Sequence, residues 1–219
     1  MKRSRSAKYA IALLPVVLLT SLVAGLISQS ATATNPNTFT QLYICGSSGN
    51  EICTVGAVGP GGGTIFLVDY RAIYRGFHYL EAAPADWAGS LGVDPKAQWC
   101  SNISSKIQVT LNAWSSRAVG LGQSNTMTML KNCTFGAANL VASYDASSRS
   151  TQKDWYLPSI GELILLSNNL QGLAGLLASD YWSSSGYSDI GGWVQSIDHG
   201  YQGNATKDTL YRVRPVRRF

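Results

Sequence analysis

Downstream of residue 55 the apolar residues fall in short runs broken by glycine, proline and serine, a pattern that predicts short strands joined by tight turns. Thr64–Val68, branched and aromatic, follows the turn cluster Val58-Gly-Pro-Gly-Gly-Gly63 and reads as a buried strand. Tyr79–Ala83 reads as a second, stopped by Pro84. Met127, Leu130, Ala137, Leu140, Val141 and Tyr144 recur at helical spacing. They predict one amphipathic helix between Asn125 and Tyr144, with a break placed near Thr134–Gly136. Ser159-Ile-Gly-Glu162 is a capping box, and Leu163, Leu166 and Leu170 form an apolar stripe behind it, so a helix starts after Pro158 and runs to about Leu170. From Asp180 the pattern changes to aromatic strands and glycine turns: Tyr181–Ser184, Gly192–Ser196 and Leu210–Arg217.

The amino terminus is of another kind. A basic start, an apolar stretch over Tyr9–Ile27 and the small-residue ending Ala31-Thr32-Ala33 have the order of a secretory signal, here assigned to residues 1–33. The same stretch approaches the length of a membrane-spanning helix, so an uncleaved anchor is the other reading. Residues 34–44 read as a polar linker and first strand. Residues 45–219, undivided by repeat or second linker, read as a single binding domain.

Composition narrows the class. With 45% hydrophobic and only 13% charged residues the chain is neither disordered nor coiled coil. Lys2, Arg3, Arg5 and Lys8 supply most of the formal +5, and the rest of the chain is close to neutral. No nucleic-acid partner is therefore expected, because that binding needs a clustered basic face. All four cysteines lie beyond the leader, and in an oxidising compartment they imply two disulfides. Three pairings exist. Cys45 with Cys53 closes a short loop rich in turn formers, which leaves Cys100 for Cys133. His78 and His199 stand without metal-ligand spacing, and neither a metal nor a cofactor is expected.

Six motifs in order, Gly59-Pro-Gly-Gly-Gly63, Tyr79-Leu-Glu-Ala-Ala-Pro-Ala-Asp-Trp87, Gly120-Leu-Gly-Gln-Ser-Asn-Thr126, Asp154-Trp-Tyr-Leu-Pro-Ser159 with Glu162-Leu163, Tyr181-Trp-Ser-Ser-Ser185 and Tyr211-Arg-Val-Arg-Pro-Val-Arg217, resemble a family of bacterial exported domains. That family is named for the C-terminal domain of a collagen-like adhesin. More distantly the chain is similar to the C-type-lectin-like fold that formylglycine-generating enzymes share. The resemblance implies an α+β, C-type-lectin-like domain: a twisted antiparallel sheet, two helices and long loops, used chiefly for binding. Fold alone names no ligand.

Tests for chemistry return little. The late cysteine pair of the formylglycine-generating enzymes is missing, as are the Glu-Pro-Asn and Trp-Asn-Asp triplets with which C-type lectins hold calcium. Gly120-Leu-Gly122 lacks the ending of a phosphate loop and reads as a helix lead-in. A hydrolase would have to pair His199 with a nearby serine. The expectation is a non-catalytic extracytoplasmic module that recognises a glycan, sulfated polymer or protein, with a self-associating envelope protein as the alternative. Its contacts are sought in the late loops, at Tyr187, Asp189, Trp193, His199, Tyr201, Asn204 and Lys207, where flat aromatic faces and polar tips mix. Trp193 also reads as strand core. Arg217 and Arg218 are the candidates for a polyanion, and Arg212 or Arg214 is expected to pair inside with an acid such as Glu162.

Overall fold

A computed structural model describes residues 52–89, 92–109 and 119–219. The chain divides into two units, Met1–Phe39 and Thr40–Phe219, and every described residue belongs to the second. The leader, the linker with its expected strand, and Cys45 thus lie outside the described residues.

Two sheets and three helices make up the described part. Strand β1 (Thr64–Val68) pairs antiparallel with β2 (Tyr79–Ala82), and β2 pairs with β8 (Val216–Arg218). The second sheet has the order β3-β7-β4-β5-β6, built from β3 (Lys96–Ala97), β4 (Asp180–Gly186), β5 (Gly191–Ser196), β6 (Gln202–Thr206) and β7 (Tyr211–Arg212). Its neighbours are antiparallel except β4 and β7, which meet in parallel at Tyr181 and Arg212. The single antiparallel sheet expected from the sequence is thus two sheets, one of them mixed.

The long terminal strand expected over Leu210–Arg217 explains the division. Pro215 has no N–H for a ladder, and around it the chain leaves one sheet at Arg212 and enters the other at Val216. Tyr156 extends the smaller sheet by exchanging backbone hydrogen bonds with Val216 at 2.8 and 2.9 Å.

Three helices stand where two were expected. Helices α1 (Gly122–Asn132) and α2 (Ala137–Ala146) are the halves of the broken amphipathic segment. Cys133 is extended and Gly136 has φ 140°, so the helix cannot run through. Gly136 lies against the strand side: a Cβ there would sit 2.7 Å from the Trp99 carbonyl oxygen. The disulfide Cys100–Cys133, with Cα atoms 5.2 Å apart, ties this break to the chain beside β3. Cys53 is buried and disulfide-bonded as well. Helix α3 (Ile160–Asn169) starts on the expected capping box. Ser159 Oγ accepts from the Glu162 N–H, and Glu162 Oε2 accepts from the Ser159 N–H at 2.8 Å.

One core packs Trp87, Trp99, Met129, Val141, Tyr144, Trp155 and Trp182 between the larger sheet and α1–α2. Another packs Phe66, Leu80, Tyr156, Leu163, Leu166 and Val216 between the smaller sheet and α3.

Candidate ligand-binding surface

Several charged residues of the domain are used inside it. Arg214 and Asp94 are both fully buried and joined twice, Nε to Oδ1 at 2.7 Å and Nη2 to Oδ2 at 2.8 Å. The remaining guanidinium N–H groups donate to the carbonyls of Ala83, Ala174 and Gly175. Asp94 also accepts from Trp87 Nε1 at 2.7 Å and Tyr181 Oη at 2.6 Å, and its backbone carbonyl accepts from Arg212 Nη1. Of the two arginines expected to pair inside, Arg214 takes the carboxylate of Asp94, while Arg212 reaches only the Asp94 backbone carbonyl. Glu162 is spent on its own helix start instead, where it accepts from the Gly120 N–H at 2.8 Å as well as from Ser159.

Glu81 is enclosed in the same manner. Gly61 and Gly63 donate their N–H groups to its carboxylate at 3.1 and 2.7 Å, and Arg217 Nη1 reaches it at 3.1 Å. Burial pushes the Glu81 carboxyl up, against the pull of those two N–H groups and Arg217. Arg217 is also forked onto Asp154 at 2.6 and 2.9 Å, with its plane over the Phe219 ring. Its charge is turned inward, so the expected polyanion contact has no free guanidinium at this position. Arg218 is half-buried; it lies over Phe77 and donates to the Gly120 carbonyl.

The late-loop candidates do not form one site. Tyr187 and Trp193 meet edge to face at 5.0 Å, with Tyr187 47% exposed and Trp193 packed on Ile160 and Ile164 of α3. Asn204 lies directly across from Trp193 in the β5–β6 ladder, so it shares that face, and it is exposed. Gln202 and Gln195 form the next pair on the same face, joined by a side-chain hydrogen bond of 2.7 Å. An aromatic pair followed by a row of amides therefore runs along the sheet beside α3. Trp193 and Gln195 are buried against α3, so what the strip offers outward is the Tyr187 ring with the Asn204 amide and part of Gln202 beside it.

His199 and Tyr201 sit at the other hairpin end, with ring centroids 5.8 Å apart, and Tyr201 lies on the opposite face, beside Gly203 and Val194. Lys207 is buried. Its Nζ donates to the carbonyls of Ser105 and Asp189 at 2.7 and 2.6 Å and stands over the Trp99 ring, and burial pushes the ammonium down. Lys207 and Asp189 thus fasten the β4–β5 turn to the body.

The Ser196–Asp198–His199 cluster has the residue types of a hydrolase in another arrangement. Triads divide the imidazole, one nitrogen to serine and the other to the acid. Here His199 Nδ1 faces both groups, 3.3 Å from Ser196 Oγ and 3.0 Å from Asp198 Oδ1, while Ser196 Oγ donates to Asp198 at 2.8 Å. The Ser196 hydroxyl, with the imidazole beside it, holds the Asp198 carboxyl below its usual range. The cluster closes the β5–β6 turn.

A cleft of about 190 Å³, which no local signal in the sequence marks, lies between α1, α2 and the segment before Pro158, lined by Met127, Leu130, Asp145, Lys153 and Trp155 among others. Lys153 does not present its charge there, because Nζ donates to the carbonyls of Asp145, Ser147 and Ser150 around the end of α2. Among the described residues no cluster of three metal-ligating side chains occurs, and no helix is long and apolar enough to cross a membrane.

No family model matches the chain, and no curated protein matches it. Among solved structures it resembles a fimbrial protein from Bacteroides ovatus, with TM-score 0.52 and 14% sequence identity over 72% of this chain and 44% of that one. The chain therefore spans under half the length of that protein, and the likeness is one of fold.

Proposed function

We propose that this protein is a non-catalytic binding or adhesion module that works outside the cytoplasm, and that the strip of Tyr187, Trp193 and Asn204 beside α3 is its ligand face. The observation that carries the reading is the division of labour among the polar residues. Asp94, Glu81, Glu162, Arg214 and Arg217 are all consumed by internal bonds, whereas the Tyr187 ring, braced from beneath by the buried Trp193, and the Asn204 amide are left at the surface. The Cys100–Cys133 bridge and the leader-like N-terminus support the compartment. The collagen-like-adhesin motifs support adhesion, as does the fold likeness to a protein described as fimbrial.

A glycan or a protein surface suits the strip, since aromatic rings stack on sugar faces and supply contact area at interfaces. Glycan-array and matrix-protein binding by the purified protein tests this. Binding should fall at least tenfold in Tyr187→Ala and Asn204→Ala with the fold intact. Binding to nothing above background, or binding indifferent to both changes, sinks the reading.

The alternative, self-association in the envelope, is favoured by β6. That strand, Gln202-Gly-Asn-Ala-Thr206, ends its sheet with no charge and no proline along it. Sedimentation over a concentration series separates the two: assembly without ligand, blocked by Thr206→Pro, whose N–H faces away from β5, belongs to the second.

A further inference from the structure

The β1–β2 loop carries a second surface on elements that the ligand strip does not use. It runs from Asp69 to His78, closed by the Asp69 N–H to His78 carbonyl bond of 2.7 Å. Asp69 is its only acid and is turned inward, accepting the Tyr74 N–H at 2.7 Å. Tyr74 stacks on Phe77 with centroids 5.6 Å apart, and Arg218 lies over Phe77, so one side of the loop is anchored. Ala72 has φ 51°, the left-handed region that a residue with a Cβ seldom enters. The chain turns through it and leaves Tyr70 and Ile73 72% and 70% exposed. Arg71, Arg75 and His78 around them are exposed too, and among the described residues neither arginine enters an ion pair.

A rigid loop that holds a tyrosine and an isoleucine in water, inside a rim of unpaired cations, is built for a partner that is anionic at its surface and apolar beneath. We infer that this loop docks on an anionic lipid surface, with Arg71 and Arg75 at the headgroups and Tyr70 and Ile73 in the interfacial layer. A sulfated polymer would engage the arginines and leave Ile73 in water, so the pairing of charge with an apolar tip favours the bilayer.

The test is amide hydrogen exchange of the full chain on vesicles of phosphatidylglycerol mixed with phosphatidylcholine, against vesicles of phosphatidylcholine alone. The N-terminal stretch, whose Lys2, Arg3, Arg5 and Lys8 also favour anionic vesicles, is common to every sample, so the loop is isolated by reading exchange at its own residues and by comparing the loop variants with the parent. Exchange over residues 70–76 should slow severalfold on the anionic vesicles only. Both Arg71→Gln/Arg75→Gln and Ile73→Ser should abolish the slowing without moving the unfolding temperature; each arginine is expected to contribute about fivefold to vesicle affinity. Equal exchange on the two vesicle types, slowing that survives either variant, or slowing produced by heparin in place of vesicles overturns the inference. The ligand strip can fail its own test without touching this one.

Discussion

Replacing Asp94 by alanine should destabilise the domain more than any other single removal of a charged side chain. The change leaves the Arg214 guanidinium, fully buried, with two of its five N–H groups facing a space where the carboxylate stood. Breaking a buried ion pair by removing one partner costs about 3–5 kcal/mol, because the remaining charge is out of water and uncompensated. Trp87 Nε1 and Tyr181 Oη lose their acceptor in the same step, each a buried group whose orphaning costs about 1–3 kcal/mol. These losses share one cavity and do not add, so about 4–6 kcal/mol is the expected total. Urea unfolding followed by tryptophan fluorescence reads it as a fall in midpoint at constant slope. The thermal midpoint should drop by about 10–20 °C for a domain of this size. Replacing both partners, Asp94→Leu with Arg214→Met, should recover much of the loss, since no charge is then stranded. A cost below about 1 kcal/mol for Asp94→Ala alone would mean that water reaches Arg214, and the account of this pair as a dry, fully buried ion pair would be wrong.

Removing the Cys100–Cys133 bridge as a double serine variant should lower stability by about 3–4 kcal/mol, the chain-entropy value for its sequence separation of 33, read by the same unfolding curves. Gly63→Ala and Gly122→Ala should each cost about 1–3 kcal/mol, because the new methyl would fall 1.8 Å from the Ala82 carbonyl oxygen or 2.3 Å from Glu162 Oε2; Gly203→Ala, whose nearest neighbour is a Val194 methyl at 3.5 Å, serves as the control and should be near neutral. Burial raises the Glu81 and Glu162 carboxyls above their ordinary 4.5, so the native state keeps protons that the unfolded chain has already released. Stability should therefore fall as pH rises from about 4.5 through the folded values, and the slope should be shallower in Glu162→Gln; a flat profile for the parent protein refutes the assignment.

Local signals made much of this fold legible. The branched run at Thr64–Val68 is β1 to the residue, and the capping box starts α3 where Ser159 predicts it. The polar strand β6 gave no signal. An edge strand needs no alternating apolar face, and its register comes from the hairpin with β5. The terminal strand misled for the opposite reason: its alternation is genuine, but Pro215 and the inward Arg214 divide it between two sheets, a tertiary effect invisible to periodicity. At the candidate site, residue types drew attention to the late loops, but only the ladder register shows that Trp193 and Asn204 share a face while Tyr201 takes the other. Lys207 and Arg217 read as surface cations because nothing local marks a carbonyl or carboxylate that arrives from far along the chain.

The six motifs that resemble an exported adhesin family turn out to be parts of one scaffold. The glycines of Gly59–Gly63 hold Glu81 of the second motif, which Arg217 of the last ties to Asp154 of the fourth. Gly120 of the third holds Glu162 of the fourth, and Thr126 Oγ1 accepts from the Leu157 N–H between the same two. Trp87 and Tyr181, from the second and fifth, meet Arg214 of the last at Asp94. Residues so occupied inside cannot choose a ligand, so on the proposed reading specificity resides in the stretches between these motifs. It follows that exchanging Tyr187–Ile190 for a glycine-serine turn of equal length should change what the protein binds while leaving its unfolding midpoint almost unchanged. If instead that exchange unfolds the domain, the turn belongs to the framework and the division between scaffold and recognition drawn from these bonds is false.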